Sequence, residues 1–440
     1  MSPSITELND KVAAQAAQIP SIYGRVDFSM TPERFAAEPG DQSELAPEFL
    51  AQRPELLANA EQVARIKAYT MHGDPVADAY AALTPQHGFH RLIVMLQDAC
   101  DHGVENVPSA PPELVRFIRE MERFPVWLDW KLIEQGAKLE RNAYAHRAPY
   151  VIRAGLIGTF MNKYSALPMA LTGSLANKTA GRRAHETASF FTTTVMPGAL
   201  DRFGAGFKAS AMVRLMHSMV RFNLLHHGDH WDVKTYGIPI PQVDQMPVGF
   251  VSTFPLALKA LRQGRTAFTA AERARVELAR YRCFLLGLPE ELLEDTPQGV
   301  VSILLTRFAT LRKGFDDTCR ALVHATMTTE LISDRSPAGR FDAWLERGFS
   351  KVFFVANFMR GGKQAAARVG IRVSLGDYIA AAVAGILIAA RMAPYAIAAL
   401  IPVLRDAADR SLVRKLTKVL AGYGHAGFTT NAATYSPVHT

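Results

Sequence analysis

Apolar residues recur along most of the chain at intervals of three and four positions, the spacing of amphipathic helices. Runs that alternate apolar and polar residues, as half-buried strands do, are nearly absent. We therefore predict an all-α fold with a single large helical domain. The main predicted helices, separated by stretches with Gly or Pro, span 87–100, 112–123, 182–195, 209–225, 249–262, 270–286, 298–312, 316–330 and 340–359, and a long ordered loop is predicted over 226–247.

One predicted helix, 209–225, is apolar on nearly every side, which is typical of a buried helix, yet it contains Arg214, His217 and Arg221. The spacings of three and seven residues place these side chains on one face, about a turn apart. An arginine cannot lose its charge, and this helix contains no acid, so an anionic partner must come from elsewhere. Distant carboxylates could pair with the arginines while a backbone group binds His217. Alternatively, a haem could place its iron on His217 and its two propionates on the arginines.

The predicted helix 182–195 has a mixed polar and aromatic face. Its members, at intervals of about four and seven, are Arg183, Thr187, Phe190, Phe191 and Thr194, with Glu186 at the edge. A haem pocket needs an apolar wall, a cation and a few small polar groups, and this helix contains those residue types. The alternative is an amphipathic surface helix.

Composition and charge narrow the classes of partner. The 440 residues are 49% hydrophobic and 20% charged, with a net charge of +8. Basic and acidic residues are interspersed, which is not the footprint of a nucleic-acid-binding protein but is compatible with anionic ligands or peripheral contact with a membrane surface. The three cysteines are widely separated and form no C-x-x-C-H, which excludes covalent haem attachment and argues against a disulfide framework. The N-terminus resembles neither a Sec signal peptide nor a twin-arginine signal, so we expect a cytoplasmic protein.

Residues 378–404 raise the question of a membrane span. Thirteen uncharged residues lie between Asp377 and Arg391, and 13 more lie between Arg391 and Arg405, interrupted by Pro394 and Pro402. A spanning helix needs roughly 20 consecutive apolar residues. We predict two buried helices here, with interfacial attachment and a true span as alternatives.

The histidines at 226, 227 and 230 form the only competing candidate metal site that we identify. His226 and His230 are four residues apart, but Gly228 and Asp229 indicate that the helix has ended between them. The sequence H-E-x-x-H is absent, because position 189, after His185 and Glu186, is serine. We therefore interpret this stretch as a polar loop or a helix end.

The helix with Arg183 and Thr187, followed about 30 residues later by Arg214-Leu-Met-His217-x-x-Val-Arg221, resembles the rubber oxygenases, or latex clearing proteins. That family includes the membrane-bound oxygenase of mycophenolate biosynthesis. Further landmarks that resemble family signatures are Gly73-Asp74-Pro75, the segment 125–129, Trp231 and the segment 237–242. The likeness covers roughly residues 70 to 360.

The resemblance implies a globin-like helical core that holds a non-covalent haem b, with dioxygen as co-substrate. It implies that His217 is the proximal iron ligand, that Arg214 and Arg221 flank it, and that Arg183 and Thr187 lie on the distal side. Phe190 and Phe191 are then candidates for the apolar wall. Residues 1–60 are rich in Pro, Glu and Ala, and we expect them to form an N-terminal arm packed on the main body. We expect a haem-binding domain over 61–425 and a C-terminal tail over 426–440.

The chain departs from the family pattern on the distal side. Rubber oxygenases have a lysine just before the matching threonine, where this chain has Glu186, and their distal glutamate has no counterpart in 161–171, where Leu167 lies near the expected position. The polyisoprene-cleaving mechanism of the family therefore cannot be assigned unchanged to this chain. Our hypothesis is a haem-b-dependent oxygenase that attacks an alkene of a hydrophobic, isoprenoid-like substrate, with Glu186 as a proton-transfer group and Thr187 as a hydrogen-bond partner of bound oxygen. The alternatives are a non-catalytic haem- or lipid-binding protein and a peroxidase-like haem protein.

Overall fold

The computed structural model describes residues 3–172, 177–226 and 231–424, apart from the side chains of 177–179, 248, 250 and 251. Regular structure in these residues is helical, with two isolated antiparallel bridges, Phe35–Leu311 and Ser43–Arg312. The predicted all-α fold class is confirmed. The predicted tail, 426–440, lies outside the described residues.

The α-helices of the described residues are, in chain order, α1 (Ile5–Gln18), α2 (Pro20–Tyr23), α3 (Arg53–Ala58), α4 (Ala60–Thr70), α5 (Pro75–Ala81), α6 (Thr84–His87), α7 (Phe89–His102), α8 (Pro112–Glu122), α9 (Trp130–His146), α10 (Ala148–Gly158), α11 (Lys163–Leu171), α12 (Asn177–Thr193), α13 (Ala205–His226), α14 (Val233–Tyr236), α15 (Gln242–Arg262), α16 (Ala270–Leu285), α17 (Pro297–Thr310), α18 (Asp317–Thr328), α19 (Pro337–Asn357), α20 (Lys363–Arg368), α21 (Leu375–Ala398) and α22 (Pro402–Tyr423). Short 3₁₀ segments cover Pro47–Gln52, Val104–Asn106 and Glu290–Leu292.

Several helices begin at capping residues that the sequence supplies. Ser4 accepts a hydrogen bond from the Glu7 amide at 3.2 Å, and the Glu7 carboxylate accepts one from the Ser4 amide at 2.8 Å. The same reciprocal pairing opens α16 and α21. Each pairing satisfies two amides that the first turn leaves without intrahelical partners, so these starting positions are fixed locally.

The first compact unit comprises Met1–Gly136 and Gly198–Lys313. Its central element is α13, which packs against α2, α5, α7 and α16 and buries most of its residues. The first sixty residues belong to this unit: Leu8, Val12 and Tyr23 are buried in it. Helix α13 is therefore a core helix, as its nearly uniform apolar surface predicts.

The second compact unit comprises Ala137–Pro197 and Gly314–Thr440. Here α10 and α21 both pack on α19, and α12 packs on α10, α18 and α22. Arg153 is buried in this unit and donates to both carboxylate oxygens of Glu346, at 2.9 and 2.8 Å. Its remaining hydrogen bonds go to backbone carbonyls, including that of Thr326. A buried guanidinium with this many acceptors is fully paired.

The predicted loop 226–247 is shorter than expected, because α15 begins at Gln242 and contains Pro247. A proline inside a helix leaves the carbonyl four residues earlier without its intrahelical donor. That carbonyl belongs to Val243, and the Arg307 side chain donates to it through Nε at 2.7 Å. The side chain thus replaces the missing backbone donor, and a proline that predicts a loop is accommodated in the helix.

The prediction of two buried helices over 378–404 is wrong. Residues 375–398 form one helix, α21, which is long and apolar enough to cross a membrane by length and composition alone. Its buried residues are Ala380, Ala384 and Ile388, which pack on the side of α19. Small alanines allow this close packing on one side, while larger apolar side chains such as Ile386 remain exposed on the other.

Candidate functional site

The two arginines of α13 bind Asp74, the residue that caps the N-terminus of α5, and Asp78 within α5. Arg214 donates through Nε and Nη2 to the Asp74 carboxylate, with Nη2 2.9 Å from Oδ1. Arg221 donates through Nε to Asp78 Oδ1 at 2.8 Å and through Nη1 to the Ile240 carbonyl at 2.9 Å. The anionic partners that the sequence requires for this face are therefore distant carboxylates of the fold. Asp74 and Asp78 bind the two arginines that we expected to meet haem propionates.

These ion pairs belong to a buried polar network. Asp78 Oδ2 accepts hydrogen bonds from the Tyr23 hydroxyl at 2.6 Å and from the Asp74 amide at 2.9 Å. Burial alone would raise the pKa of Asp74, but the charge and hydrogen bonds of Arg214 hold it below its usual value. Burial disfavours the charged form of Arg221, yet Asp78 outweighs this and raises the guanidinium pKa. Burial raises the pKa of Asp78, and the charge of Arg221 opposes this rise.

His217 is oriented by a glutamine of α15. Its Nδ1 lies 3.2 Å from Gln245 Oε1. Gln245 Nε2 donates to Gln242 Oε1 at 3.2 Å, and Gln242 Nε2 donates to the Gly73 carbonyl at 2.7 Å. Because the amide of Gln245 is used as a donor elsewhere, its oxygen accepts from the imidazole, and Nδ1 bears the proton. In the neutral tautomer that makes this hydrogen bond the lone pair is on Nε2, the arrangement typical of a histidine that ligates a metal.

The surroundings of His217 on α13 are apolar and partly accessible. Val213, Met216 and His217 are half-buried, whereas most other residues of the helix are buried. The three lie within about one turn of each other. An imidazole fixed in one tautomer within an apolar patch fits the requirements of a haem ligand.

A cavity of ≈ 430 Å³ in the first unit is lined in part by residues of the same network. Its lining includes Asp74, Arg214 and Gln242, together with Tyr69 and His72, but not His217. Burial lowers the pKa of His72 to about 4, so its imidazole is neutral at physiological pH. The cavity has a polar, charged lining and does not resemble an apolar substrate pocket.

The predicted distal residues lie on α12 in the second unit. The Glu186 side chain is 13% exposed, and Arg182 Nε is 3.7 Å from its Oε1. Burial raises the pKa of Glu186, and the charges of Arg183 and Arg182 only partly oppose this. A carboxyl group with a raised pKa is suited to proton transfer near neutral pH.

The other α12 residues are arranged around Glu186 by the helix itself. Thr187 is half-buried, and Arg183 Nη2 donates to Thr172 Oγ1 at 3.4 Å. The rings of Phe190 and Phe191 meet edge to face with centroids 5.2 Å apart. The helix thus presents the aromatic and polar groups that the sequence predicts, within this unit.

The described residues contain no group of three or more His, Cys, Asp or Glu side chains placed to hold a metal ion. His226 binds the Ser21 carbonyl through Nδ1 at 3.0 Å and stacks on Phe222. His227 and His230 of the competing zinc hypothesis lie outside the described residues. His185 Nε2 contacts the Leu331 carbonyl at 3.0 Å.

Sequence reasoning missed the partners of the α13 residues: Asp74, Asp78, Gln242 and Gln245. The sequence does contain a pattern that could have indicated these partners. Asp74 and Asp78 are four residues apart, about one helical turn, and could therefore pair with two arginines that are also on one helical face. Gly73 is required by close approach, because a Cβ there would lie 2.0 Å from the Tyr23 hydroxyl. Gln245 gave no such signal, because it fell in a predicted loop.

Comparison with known proteins places these features in a family. Residues 143–419 match the sequence model described as ER-bound oxygenase mpaB/B′/rubber oxygenase, catalytic domain. The match begins and ends later than the landmarks indicated, and it contains both α12 and α13.

Among solved structures, the fold resembles that of latex clearing protein in its closed state, with a TM-score of 0.54 and 20% sequence identity over 80% of this chain and 91% of that chain. No curated protein matches the chain. Since the family model covers more than half of the sequence, the chain belongs to the mpaB/rubber oxygenase family.

Proposed function

We propose that this protein is a haem-b-dependent oxygenase that uses dioxygen to attack an alkene of a hydrophobic, isoprenoid-like substrate. Membership in a family of oxygenases supports the reaction class. The observation that carries the proposal is the hydrogen bond from His217 Nδ1 to Gln245 Oε1, which leaves the lone pair on Nε2. When bound, haem would supply the iron at which dioxygen is activated.

His217 is the residue that would hold the iron, with Gln245 setting its tautomer and orientation. A hydrogen bond from the other ring nitrogen to a neighbouring oxygen commonly fixes the orientation of a histidine ligand and raises its basicity. Arg214 and Arg221 have carboxylate partners of their own, so we assign them a positioning role. By binding α5 they fix the rotation and depth of α13, and hence the direction of the imidazole.

Helix α12 contributes the candidate catalytic residues, on the grounds of its own chemistry and of the family resemblance. Glu186, with its raised pKa, is the group that would accept or return a proton. Thr187 supplies a hydroxyl that can donate a hydrogen bond, and Arg183 supplies a cation beside the carboxyl group. Phe190 and Phe191 would bind the apolar part of the substrate.

The test is oxygen consumption by protein loaded with haem b, measured with squalene and a farnesyl-type alkene. We expect alkene-dependent oxygen uptake in the wild type. The Glu186→Gln variant should lose most of it, roughly the 10²–10⁴-fold contribution of a general acid or base, while keeping its haem. Glu330→Gln, a change at an exposed glutamate of the same unit, is the matched control and should behave as the wild type.

The pH profile gives a second readout. The Arg182 charge lowers the pKa of Glu186, so Arg182→Gln should raise that pKa and move the acidic limb of the activity profile to higher pH. The shift should be small and salt-sensitive, because Arg182 is mostly exposed. Haem binding without oxygen uptake on any alkene would instead favour a haem- or lipid-binding protein. Substrate oxidation that consumes added peroxide and no dioxygen would favour a peroxidase.

A further inference from the structure

Helices α21 and α22 form a hairpin in the second unit. They are joined by residues 399–401, and the hydroxyls of Tyr395 and Ser411 lie 3.1 Å apart across the hairpin. Arg405 Nε donates to the Ala399 carbonyl at 3.1 Å, which closes the turn. The chain therefore reverses direction within a few residues, and the turn is a defined, hydrogen-bonded structure.

The end of this hairpin is an exposed apolar surface without a charge between positions 392 and 404. We call it the hairpin tip; its members are Ile397, Leu400, Ile401, Val403 and Leu404. Val403 is 85% exposed, Leu400 80% and Ile397 59%. Neighbouring exposed apolar side chains of this size mark an interaction surface, because water opposes their exposure.

A stripe of positive charge adjoins the tip. Arg410, Arg414 and Lys418 are exposed and follow Val403 on one face of α22, at intervals near whole turns. Leu412 and Leu416 are buried on the opposite face. Of the two acids in 391–424, Asp409 is bound by Arg141 Nη1 at 2.8 and 2.6 Å, and Asp406 is exposed next to the exposed Arg405. The exposed basic residues outnumber Asp406, so the surface beside the tip has a net positive charge.

We propose that the hairpin tip docks into the interfacial layer of an anionic lipid bilayer, with the arginines of α22 at the level of the phosphates. A rise of 1.5 Å per residue places Arg410 about 10 Å beyond Val403, which matches the roughly 5–10 Å depth of interfacial apolar groups. Basic residues next to such a group are attracted by anionic headgroups.

The attachment is peripheral and does not depend on the proposed oxygenase activity. The first half of α21 packs on α19, where Ala380 and Ala384 are buried with Leu345, so the helix is held within its unit. Arg391 interrupts the apolar surface beyond that point. A second copy of the chain is a poorer partner, because a symmetric contact would bring the basic stripes of both copies together.

The experiment is co-sedimentation of the full chain with vesicles of phosphatidylcholine alone or mixed with phosphatidylserine. We expect binding to the mixed vesicles only, weakened by salt. Leu400→Ser with Val403→Ser should reduce binding roughly tenfold or more, because both side chains lose apolar burial in the bilayer. Arg410→Gln with Arg414→Gln should remove most of the phosphatidylserine dependence. Val126→Ser, a change at a fully exposed apolar residue of the other unit, should bind as the wild type.

Circular dichroism checks that the exposed substitutions leave the fold intact. The proposal is overturned if the wild type binds neither vesicle, or if the tip variant binds as well as the wild type. Light scattering tests the other occupant: a wild-type dimer that the tip substitutions convert to a monomer, with no vesicle binding, would show a contact between copies.

Discussion

The His217→Ala variant, mixed with haem b, shows no Soret band beyond that of free haem, whereas the wild type shows the band of a histidine-ligated haem. The reason is that Gln245 holds the His217 imidazole in the tautomer whose lone pair is on Nε2, on a half-buried, apolar part of α13. The measurement is an absorption titration with haem. Added imidazole should restore part of the band by replacing the missing ligand.

Two variants sharpen this result. Gln245→Leu keeps the imidazole but removes its acceptor, so haem affinity should fall about 10- to 100-fold, the usual effect of losing such a partner. His226→Ala changes another histidine of α13, whose ring binds the Ser21 carbonyl, and should retain haem at the wild-type level. Full haem content in His217→Ala would remove this residue from the proposed site.

The Asp78→Ala variant unfolds at a much lower urea concentration than the wild type, with a loss of ~3–5 kcal/mol in the free energy of unfolding. Arg221 and Asp78 are both fully buried, so the substitution leaves an uncompensated charge in the core. Replacing both partners, as in Asp78→Leu with Arg221→Met, should recover part of the loss, because no charge then remains unpaired. Equilibrium urea denaturation, followed by circular dichroism, measures both variants.

The control is a similar pair on the surface. Arg65 and Glu61 meet at 2.8 Å on α4, but the Glu61 side chain is mostly exposed, so Glu61→Ala should cost less than about 1 kcal/mol. Equal costs for Asp78→Ala and Glu61→Ala would show that the buried network contributes little. Acid should also lower the free energy of unfolding through Asp74, because folding lowers the pKa of this carboxyl group. The stabilisation from Asp74 is fully present above its unfolded pKa of about 3.9, and it is lost as the pH falls through the lower folded pKa.

The helices could be predicted from the sequence because they depend on the local spacing of apolar residues. The need for anionic partners of the buried arginines could be predicted because burying an unpaired charge is costly. Helix α8, predicted over 112–123, is found at Pro112–Glu122, and α13 extends the prediction by a few residues at its N-terminal end. The requirement for anions opposite Arg214 and Arg221 followed from desolvation alone. What desolvation cannot identify is which anion meets them, since a carboxylate and a propionate present the same charge.

The errors arose where a distant contact overrides local preference. Pro247 indicates a loop until Arg307, some sixty residues away, donates to the carbonyl that the proline leaves unpaired. Alanine-rich α21 was predicted to be buried on its composition, but composition does not show that only one side packs on α19. The role of Gln245 could not be predicted for the same reason, because it depends on the position of α15 beside α13 in the fold.

The two units are each built from two separate stretches of the chain, and this has a consequence during synthesis. Asp74 and Asp78 leave the ribosome about 140 residues before the arginines that neutralise them. Until residue 221 has emerged, the N-terminal part of the first unit contains two carboxylates that cannot be buried, so it cannot complete its core. The nascent chain therefore stays incompletely folded until α13 has been translated and can pack against α5.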